Sequence, residues 1–463
     1  MLHRLCTLLL TLCALSLTAA AQPADTVPAD TARYAPLLRR LIVAGLETDS
    51  AFALLRELVD AAPHRLSGSD GARVAVGLTT DMMRRLGFQE VHQESVMVPH
   101  WVRGREEGWV AGRKPYRLGI CALGGSVATP KQGITAGLVE VHSFEELRGL
   151  GPAARGKIIF FNRPMDPTKI KTFEAYGGAV DQRGRGAVEA ARAGGVAALV
   201  RSMSLRRDRV PHTGAMGYTE GVPEVPGAAV STVDADSLSA MLRRNPGLRV
   251  HLRLDCRTLP DAPSANVVGE IRGSARPEEV VLVSGHLDCW DKGQGAHDDG
   301  SGCMQAIEAL RLLRAAGVRP ARTIRAVMFM NEENGARGGK GYVTALRRAH
   351  ERHIAALESD AGGFAPLGFR VQADSIVLRK VARWSPLFAL LGAGAFSPGG
   401  GGTDIGPLAK TGVPGFGLDV ENQRYFDCHH SDNDRLDAVN PRELELGAIA
   451  EALLCYILSE EGL

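Results

Sequence analysis

Residues 280–302, VVLVSGHLDCWDKGQGAHDDGSG, decide the fold of this chain. The stretch opens on an uninterrupted apolar run over 280–284, short and rich in valine, which predicts a buried β-strand. The run ends in Gly285-His286-Leu287-Asp288, so an imidazole and a carboxylate stand just past the carboxyl end of that strand. A glycine-rich loop carries the adjacent pair Asp298-Asp299 and opens into residues 301–316, where Cys303, Ile307 and Leu310 fall on one helical face. Continuous apolar strands alternating with helices imply a largely parallel sheet covered on both faces. Such sheets place their ligands beyond the carboxyl ends of the strands.

Outward from this stretch the pattern repeats. The apolar run 323–330 ends in Asn331-Glu332-Glu333, and the run 354–357 ends in Glu358-Ser359-Asp360. A further strand is expected over 413–418 and a closing helix over 443–458, with His429-His430-Ser431-Asp432-Asn433-Asp434 between them. The expected fold class is therefore α/β, a mostly parallel mixed sheet flanked by helices. Three of its strands deliver His or carboxylate side chains to one edge. Imidazole nitrogen and carboxylate oxygen are the donors that borderline divalent metals such as zinc accept. Two metals about 3.5–4 Å apart need a shared ligand, and one carboxylate can bridge them. A second carboxylate is then needed to take a proton from water and hand it to a leaving amine. Of the neighbours Glu332 and Glu333, one can bind metal while the other faces that water.

Each piece alone has an ordinary structural reading. A His at a strand end is often a satisfied core residue, a Glu-Glu pair is usually a solvated turn, and two aspartates in a glycine-rich loop commonly cap a helix. Their order on one predicted sheet edge is what singles them out. The motifs HExxH, GxxxxGK[ST] and GxSxG are absent, which removes zincin, nucleotide-binding and serine-hydrolase readings.

Upstream, apolar stripes at Leu37, Leu41, Leu54, Leu55 and Leu58 and at Val74, Leu78, Met82 and Leu86 predict helices, the last stopped by Gly87. From about Gly124 short β-type runs over 138–141, 157–161, 197–201 and 227–231 are broken by Gly, Pro and charged turns, with one helix over 187–193. The expected organisation is 1–21 signal peptide, 22–127 N-terminal segment of the catalytic part, 128–255 an inserted β-rich domain and 256–463 the catalytic domain. The 1–21 reading rests on Arg4, the apolar run 5–17 and Ala19-Ala20-Ala21 before Gln22. That run is shorter than a membrane span of about 20 residues. It predicts export, to the periplasm or outside the cell, with no stable membrane anchor. Net charge is +2, from 54 basic and 52 acidic side chains among 463 residues, so no basic field exists to hold nucleic acid or an anionic membrane. Cleavage leaves Cys121, Cys256, Cys289, Cys303, Cys428 and Cys455, whose pairing the sequence cannot choose and whose spacing contains no CxxC.

The motifs SGHLDCWDKGQGAHDDGSG (284–302), MFMNEENGARGGKGY (328–342), LESDAGG (357–363) and HHSDND (429–434), in this order, resemble the zinc exopeptidases of the carboxypeptidase Q group. RLSGS (65–69) and VPHWVRGRE (98–106) resemble the N-terminal part of that group, while GKIIFFNRP (156–164), AARAGGVAALVRS (190–202), PHTG (211–214) and VPGAAVSTVDADSL (225–238) resemble its protease-associated domain. The resemblance implies two zinc ions per chain. His286 and Asp360 would hold one, Glu333 and His430 the other, and Asp298 would bridge them. It makes Glu332 the general base for a water between the metals, and Asp288 the residue that orients His286. It also implies a cis peptide between Asp298 and Asp299, short peptides with an unblocked end as substrates, and a homodimer.

Around these, His297 is expected in the loop rather than as a ligand, and His429, Thr403 and Asp404 are candidates for touching substrate. Rival readings remain on the same scaffold. Receptor relatives lose metal ligands, whereas all five are present here together with the base. A glutaminyl-cyclase-like acyltransferase would use one zinc, and a pure binding module would rest on 128–255. Whether a free amino or a free carboxylate end is held stays open at this point, because the two-zinc site fits aminopeptidases equally.

Overall fold

The computed structural model describes residues 32–346 and 350–463, so the signal-peptide reading of 1–21 and the first ten residues of the N-terminal segment lie outside the described residues. The 280–284 run sits inside the strand Arg276–His286, flanked by Arg322–Phe329 on one side and Arg352–Glu358 on the other. Both pairings are parallel, as is that of Arg352–Glu358 with Gly415–Val420. Alternate residues of the central strand enter different cores. Val281 and Val283 belong to the large cluster under helices Ser301–Ala315 and Pro441–Glu461, while Leu282 belongs to a smaller one with Tyr342, Ile405 and Leu408 on the opposite face. Both faces are covered, which is why these strands read as continuous apolar runs rather than as alternation.

The sheet has eight strands, extended antiparallel on one side by Arg257–Ile271 and Gln89–Val102 and on the other by Pro366–Gln372, which Ala395–Pro398 joins at the edge. None of these four was expected from the sequence. Gln89–Val102 and most of Arg257–Ile271 pair as a ribbon rich in exposed polar residues, so neither carries an apolar run. Helices Ala35–Leu46, Ser50–Ala61 and Asp70–Arg85 pack on the unit of this first sheet, the third capped by the Ser69 hydroxyl accepting from the Ala72 N–H. Among the described residues no helix is long and apolar enough to cross a membrane.

Between Val102 and Arg257 the chain builds a second eight-stranded sheet. It contains the expected runs as Ile134–Val141, Ile158–Phe161, Ala197–Arg201 and Gly227–Val230, plus Arg249–Leu254. It also takes in Glu106–Val110, Tyr116–Arg117 and Ile120–Ala122, so this sheet begins upstream of residue 128. Glu106–Val110 and Ile120–Ala122 were hidden in the sequence because they are short and acquire identity by pairing with partners more than a hundred residues away, while Tyr116–Arg117 is a two-residue strand that pairs back on Glu106–Val110. All six described cysteines are buried and unpaired.

Helix Pro441–Glu461 carries a fully buried carboxyl, Glu451, both of whose oxygens lack a protein partner. Burial raises its pKa well above the usual carboxylate range. The folded chain then holds a proton that the unfolded chain releases, so this group makes stability fall as pH rises past the unfolded value. Glu451→Met, nearly volume-conserving, is expected to stabilise the protein at neutral pH by roughly 1–3 kcal/mol. The gain should shrink towards about pH 4, where the unfolded carboxyl is also protonated. Melting curves of both proteins at the two pH values check this.

Candidate metal centre

Strand Arg276–His286 lies between its two parallel neighbours, although the chain visits Arg322–Phe329 and then Arg352–Glu358 in sequence. The crossover direction therefore reverses at the carboxyl end of this strand, which opens a crevice there. His286 ends the strand, Glu332 and Glu333 follow one neighbour, and Asp360 follows the other. The loop 288–300 brings Asp298 over the crevice, and the 429–434 segment closes it with His430.

Two pieces of the chain hold that loop. The buried Arg65 guanidinium donates to the carbonyls of Leu287 (2.6 Å), Gln294 (2.6 Å) and Gly295 (2.7 Å). The Asp434 carboxylate accepts from the N–H groups of His297 (2.7 Å) and Asp298 (3.1 Å). The Asp298-Asp299 peptide is cis. Asp299 accepts from the His286 and Gly302 N–H groups at 2.9 and 3.0 Å. Gly285 lets this happen, since a Cβ there would lie 2.5 Å from the Asp299 Oδ2. Neither Arg65 nor Asp434 was singled out from sequence as part of the site, because a buried arginine serving distant carbonyls has no local signature.

The five residues expected as ligands converge. The His286 Nε2 lies 3.3 Å from Asp298 Oδ1 and 3.4 Å from Asp360 Oδ1. The His430 Nε2 lies 3.2 Å from Asp298 Oδ2 and 3.0 Å from Glu333 Oε2. Donors about 2.0–2.1 Å from a tetrahedral zinc stand roughly 3.3 Å from one another. Asp298 Oδ2 is buried without a hydrogen bond of good geometry, which leaves it lone pairs to offer a cation. The Trp290 backbone N–H donates to Glu333 Oε1 at 3.2 Å and orients that carboxylate. The chemistry and spacing of the donors fit zinc.

Electrostatics say the same. Burial opposes a charged His286, yet Asp298 and Asp360 outweigh it and lift its pKa well above the ordinary value. Burial likewise opposes His430, while Glu333 and Asp298 raise it to about 10. Burial pushes Glu333 up to about 8, with Asp298 adding to it. The cluster is an acidic pocket that draws positive charge into itself. Burial also lifts Glu332 to about 7, His286 working against the shift and Asp360 and Asp288 with it.

Asp288 departs from the expected arrangement. The His286 Nδ1 faces the Asp288 carbonyl oxygen at 3.0 Å, whereas the Asp288 carboxylate accepts from the Asn331 and Glu332 N–H groups at 2.6 and 3.1 Å. Its side chain thus holds the backbone beneath Glu332, and its main chain holds the imidazole. His297 stacks on Phe364 at 4.3 Å, its Nδ1 accepts from the Gly363 N–H, and its Nε2 faces the Ala438 carbonyl. It points away from the ligand cluster. His429 stacks on His430 at 3.5 Å and leaves its Nδ1 unpartnered. Thr403 lines the cleft, while Asp404 is buried behind it with both oxygens unpartnered. The N–H groups of Thr403, Asp404 and Ile405 all donate to the buried Glu358 carboxylate.

Over the centre lies a cleft of about 290 Å³. One wall comes from the catalytic unit, with Tyr425, Phe426, His429 and Thr403; the other comes from the second sheet's unit, with Phe173, Tyr176, Arg183 and Ala215. The walls are joined by aromatic contacts, Phe173 on Tyr425 at 5.3 Å and Tyr176 on Phe426 at 4.8 Å. Phe173, Tyr176, Arg183, Tyr425 and Phe426 went unnoticed in the sequence, since they belong to loops and helices of two different units.

The sequence pattern of peptidase family M28 matches residues 266–454. Carboxypeptidase Q of Bos taurus is 37% identical over 420 residues, covering 91% of this chain and 87% of its own. The crystal structure of a peptidase M28 precursor from Shewanella amazonensis superposes with a TM-score of 0.89 at 32% identity, over 94% of this chain and 98% of that one. A zinc aminopeptidase from Bacillus subtilis shares the fold, with a TM-score of 0.63 at 21% identity over 88% of this chain and 94% of the other.

Proposed function

This chain belongs to peptidase family M28, among the zinc metallo-exopeptidases related to carboxypeptidase Q, and on that premise we propose that it cleaves dipeptides or short peptides with an unblocked end on two zinc ions. His286 and Asp360 would hold one ion and Glu333 and His430 the other, with the Asp298 carboxylate placed between the two imidazoles. The observation that carries this reading is the Asp298 carboxylate, whose two oxygens face different imidazoles at 3.3 and 3.2 Å. A one-zinc acyltransferase would leave the second of these imidazoles without a purpose.

The zinc pair supplies Lewis acidity and makes water more acidic. Everything else falls to the chain. Glu332, at the cleft, takes the proton from the attacking water and carries it to the departing amine nitrogen. The Asp288 carboxylate keeps Glu332 in place through its backbone N–H. Asp434 accepts from the Asp298 backbone N–H and the Trp290 backbone N–H donates to the Glu333 carboxylate, which orients both residues. The facing walls shield the site from bulk water and admit narrow substrates.

We read the inserted unit as a protease-associated domain serving as wall to the cleft, in an exported protein that assembles as a homodimer. Its contribution of Phe173, Tyr176 and Arg183 to the cleft supports the role as wall. The purified protein is expected to hold two zinc ions per chain by elemental analysis. A chelator should abolish hydrolysis of a free dipeptide, and casein should stay intact. One tightly held metal in fully active protein, or internal cleavage of casein, would overturn the proposal.

A further inference from the structure

The two halves of the centre are held by different means. His286 ends a central strand, and its Nδ1 faces the Asp288 carbonyl at 3.0 Å, so the first sheet's unit fixes that ring. Asp360 follows the strand paired beside it. His430 has neither support. It stands in a loop with φ of +60°, in the left-handed region that favours glycine. Among the described residues its Nδ1 is offered no acceptor; the polar atom beside it is a donor, Arg183 Nη1 at 3.5 Å. A metal-binding imidazole ordinarily gives that second nitrogen to a carbonyl or carboxylate, which orients the ring.

What fixes His430 is its backbone, and the grip comes from the inserted unit. The His429 carbonyl accepts from the His212 Nδ1–H at 2.7 Å, and the His430 carbonyl accepts from the Thr213 N–H at 2.9 Å. The gripping segment is itself tied into the inserted unit. The His212 N–H donates to the Ser202 hydroxyl at 2.9 Å, and the Thr213 hydroxyl donates to the Ala122 carbonyl at 2.8 Å. His212 is 1% exposed, and its Nε2 has no partner, so the ring makes this one hydrogen bond. Glu333 shares the dependence. The backbone N–H that orients its carboxylate belongs to Trp290, whose indole lies in the core of the inserted unit. Gly124 makes room for that indole, since a Cβ there would overlap the Trp290 ring.

We propose that the inserted unit assembles one half of the centre. His212 and the Thr213 N–H set His430, and Gly124 seats Trp290 behind Glu333. Metal occupancy at Glu333 and His430 therefore depends on the inserted unit, while occupancy at His286 and Asp360 does not. His212 is a positioning residue that acts through the His429–His430 backbone and touches neither metal nor substrate. This rests on the two-zinc reading of the centre and adds that different parts of the chain hold the two ions.

The test titrates zinc by calorimetry into metal-free wild type, His212→Leu, His212→Asn and Gly124→Ala, with melting curves to show that each is folded. Leucine keeps much of the bulk of the imidazole and loses its donor, whereas asparagine keeps a donor at the place of Nδ1. Outer partners of metal-binding residues are worth about 10–100-fold in affinity. In His212→Leu and in Gly124→Ala one zinc-binding event should weaken by that factor while the other stays at the wild-type value. His212→Asn should keep both events. Weakening of both events alike, or of neither, in His212→Leu and Gly124→Ala overturns the inference, as does His212→Asn that behaves like His212→Leu. A wild type that takes up one zinc, weakened in both of those variants, removes the two-zinc reading and leaves the inserted unit's hold on Glu333 and His430 standing. A single zinc that neither variant weakens removes both.

Discussion

Glu332→Gln is expected to lower kcat on a free dipeptide by about 10²–10⁴-fold while zinc content and fold stay at the wild-type level. Glutamine keeps the shape of the side chain and cannot take a proton from water. The fold should tolerate the change because the contact that fixes this residue is its backbone N–H on Asp288, which the substitution leaves alone. The base works only when unprotonated, so wild-type activity should fall as pH drops through the pKa of Glu332. The protein's own groups put that near 7, chiefly by burial. Cations in the centre pull it lower, so the acid limb of kcat/KM belongs at or below that value. Residual activity of Glu332→Gln should lack the limb. Elemental analysis beside a pH series on both proteins decides it; a variant that loses zinc along with turnover would make Glu332 a ligand.

Asp298→Asn should have the larger effect on the metals. The substitution removes one negative charge and turns one of the two oxygens into an NH₂ that donates towards an imidazole. Each oxygen now faces its own histidine, at 3.3 and 3.2 Å, so no amide rotamer satisfies both sides. Changes to groups that merely orient ligands cost about 10–100-fold in metal affinity, and loss of a direct, shared ligand should exceed that. The expected result is at most one zinc per chain at purification and no detectable dipeptide hydrolysis. The backbone of this residue is held by Asp434, so the circular dichroism spectrum should not change. Two retained zinc ions in Asp298→Asn would show that the bridge lies elsewhere.

Much of this molecule is legible residue by residue. The run 280–284 announces a doubly covered strand because both of its faces meet apolar neighbours, and the structure gives it parallel partners on both sides. The helix over 301–316 and the closing helix over 443–458 were visible for the same reason, as Ser301–Ala315 and Pro441–Glu461. The chemistry at 286, 298, 332–333, 360 and 430 is legible because each group directly follows a strand or sits in a short polar motif. Asp288 was expected to orient His286, and the group that faces the imidazole is its main-chain carbonyl rather than its carboxylate.

Sequence alone thus determined the doubly wound core, the order of its central strands along the chain and the set of His and carboxylate groups that end up at one edge. Periodicity and strand-end position are local properties, written within a dozen residues. Only the tertiary structure decided where the second sheet begins, because Glu106–Val110 becomes a strand by pairing with Arg249–Leu254. It alone brought Arg65 and Asp434 to the 288–300 loop, and Arg183 from the inserted unit to within 3.5 Å of His430. Such contacts join residues 137 to 247 positions apart, and nothing in the spacing of either partner announces the other. The physical reason is that a buried cation is placed by the acceptors and space around it, which exist only once both units have folded against each other.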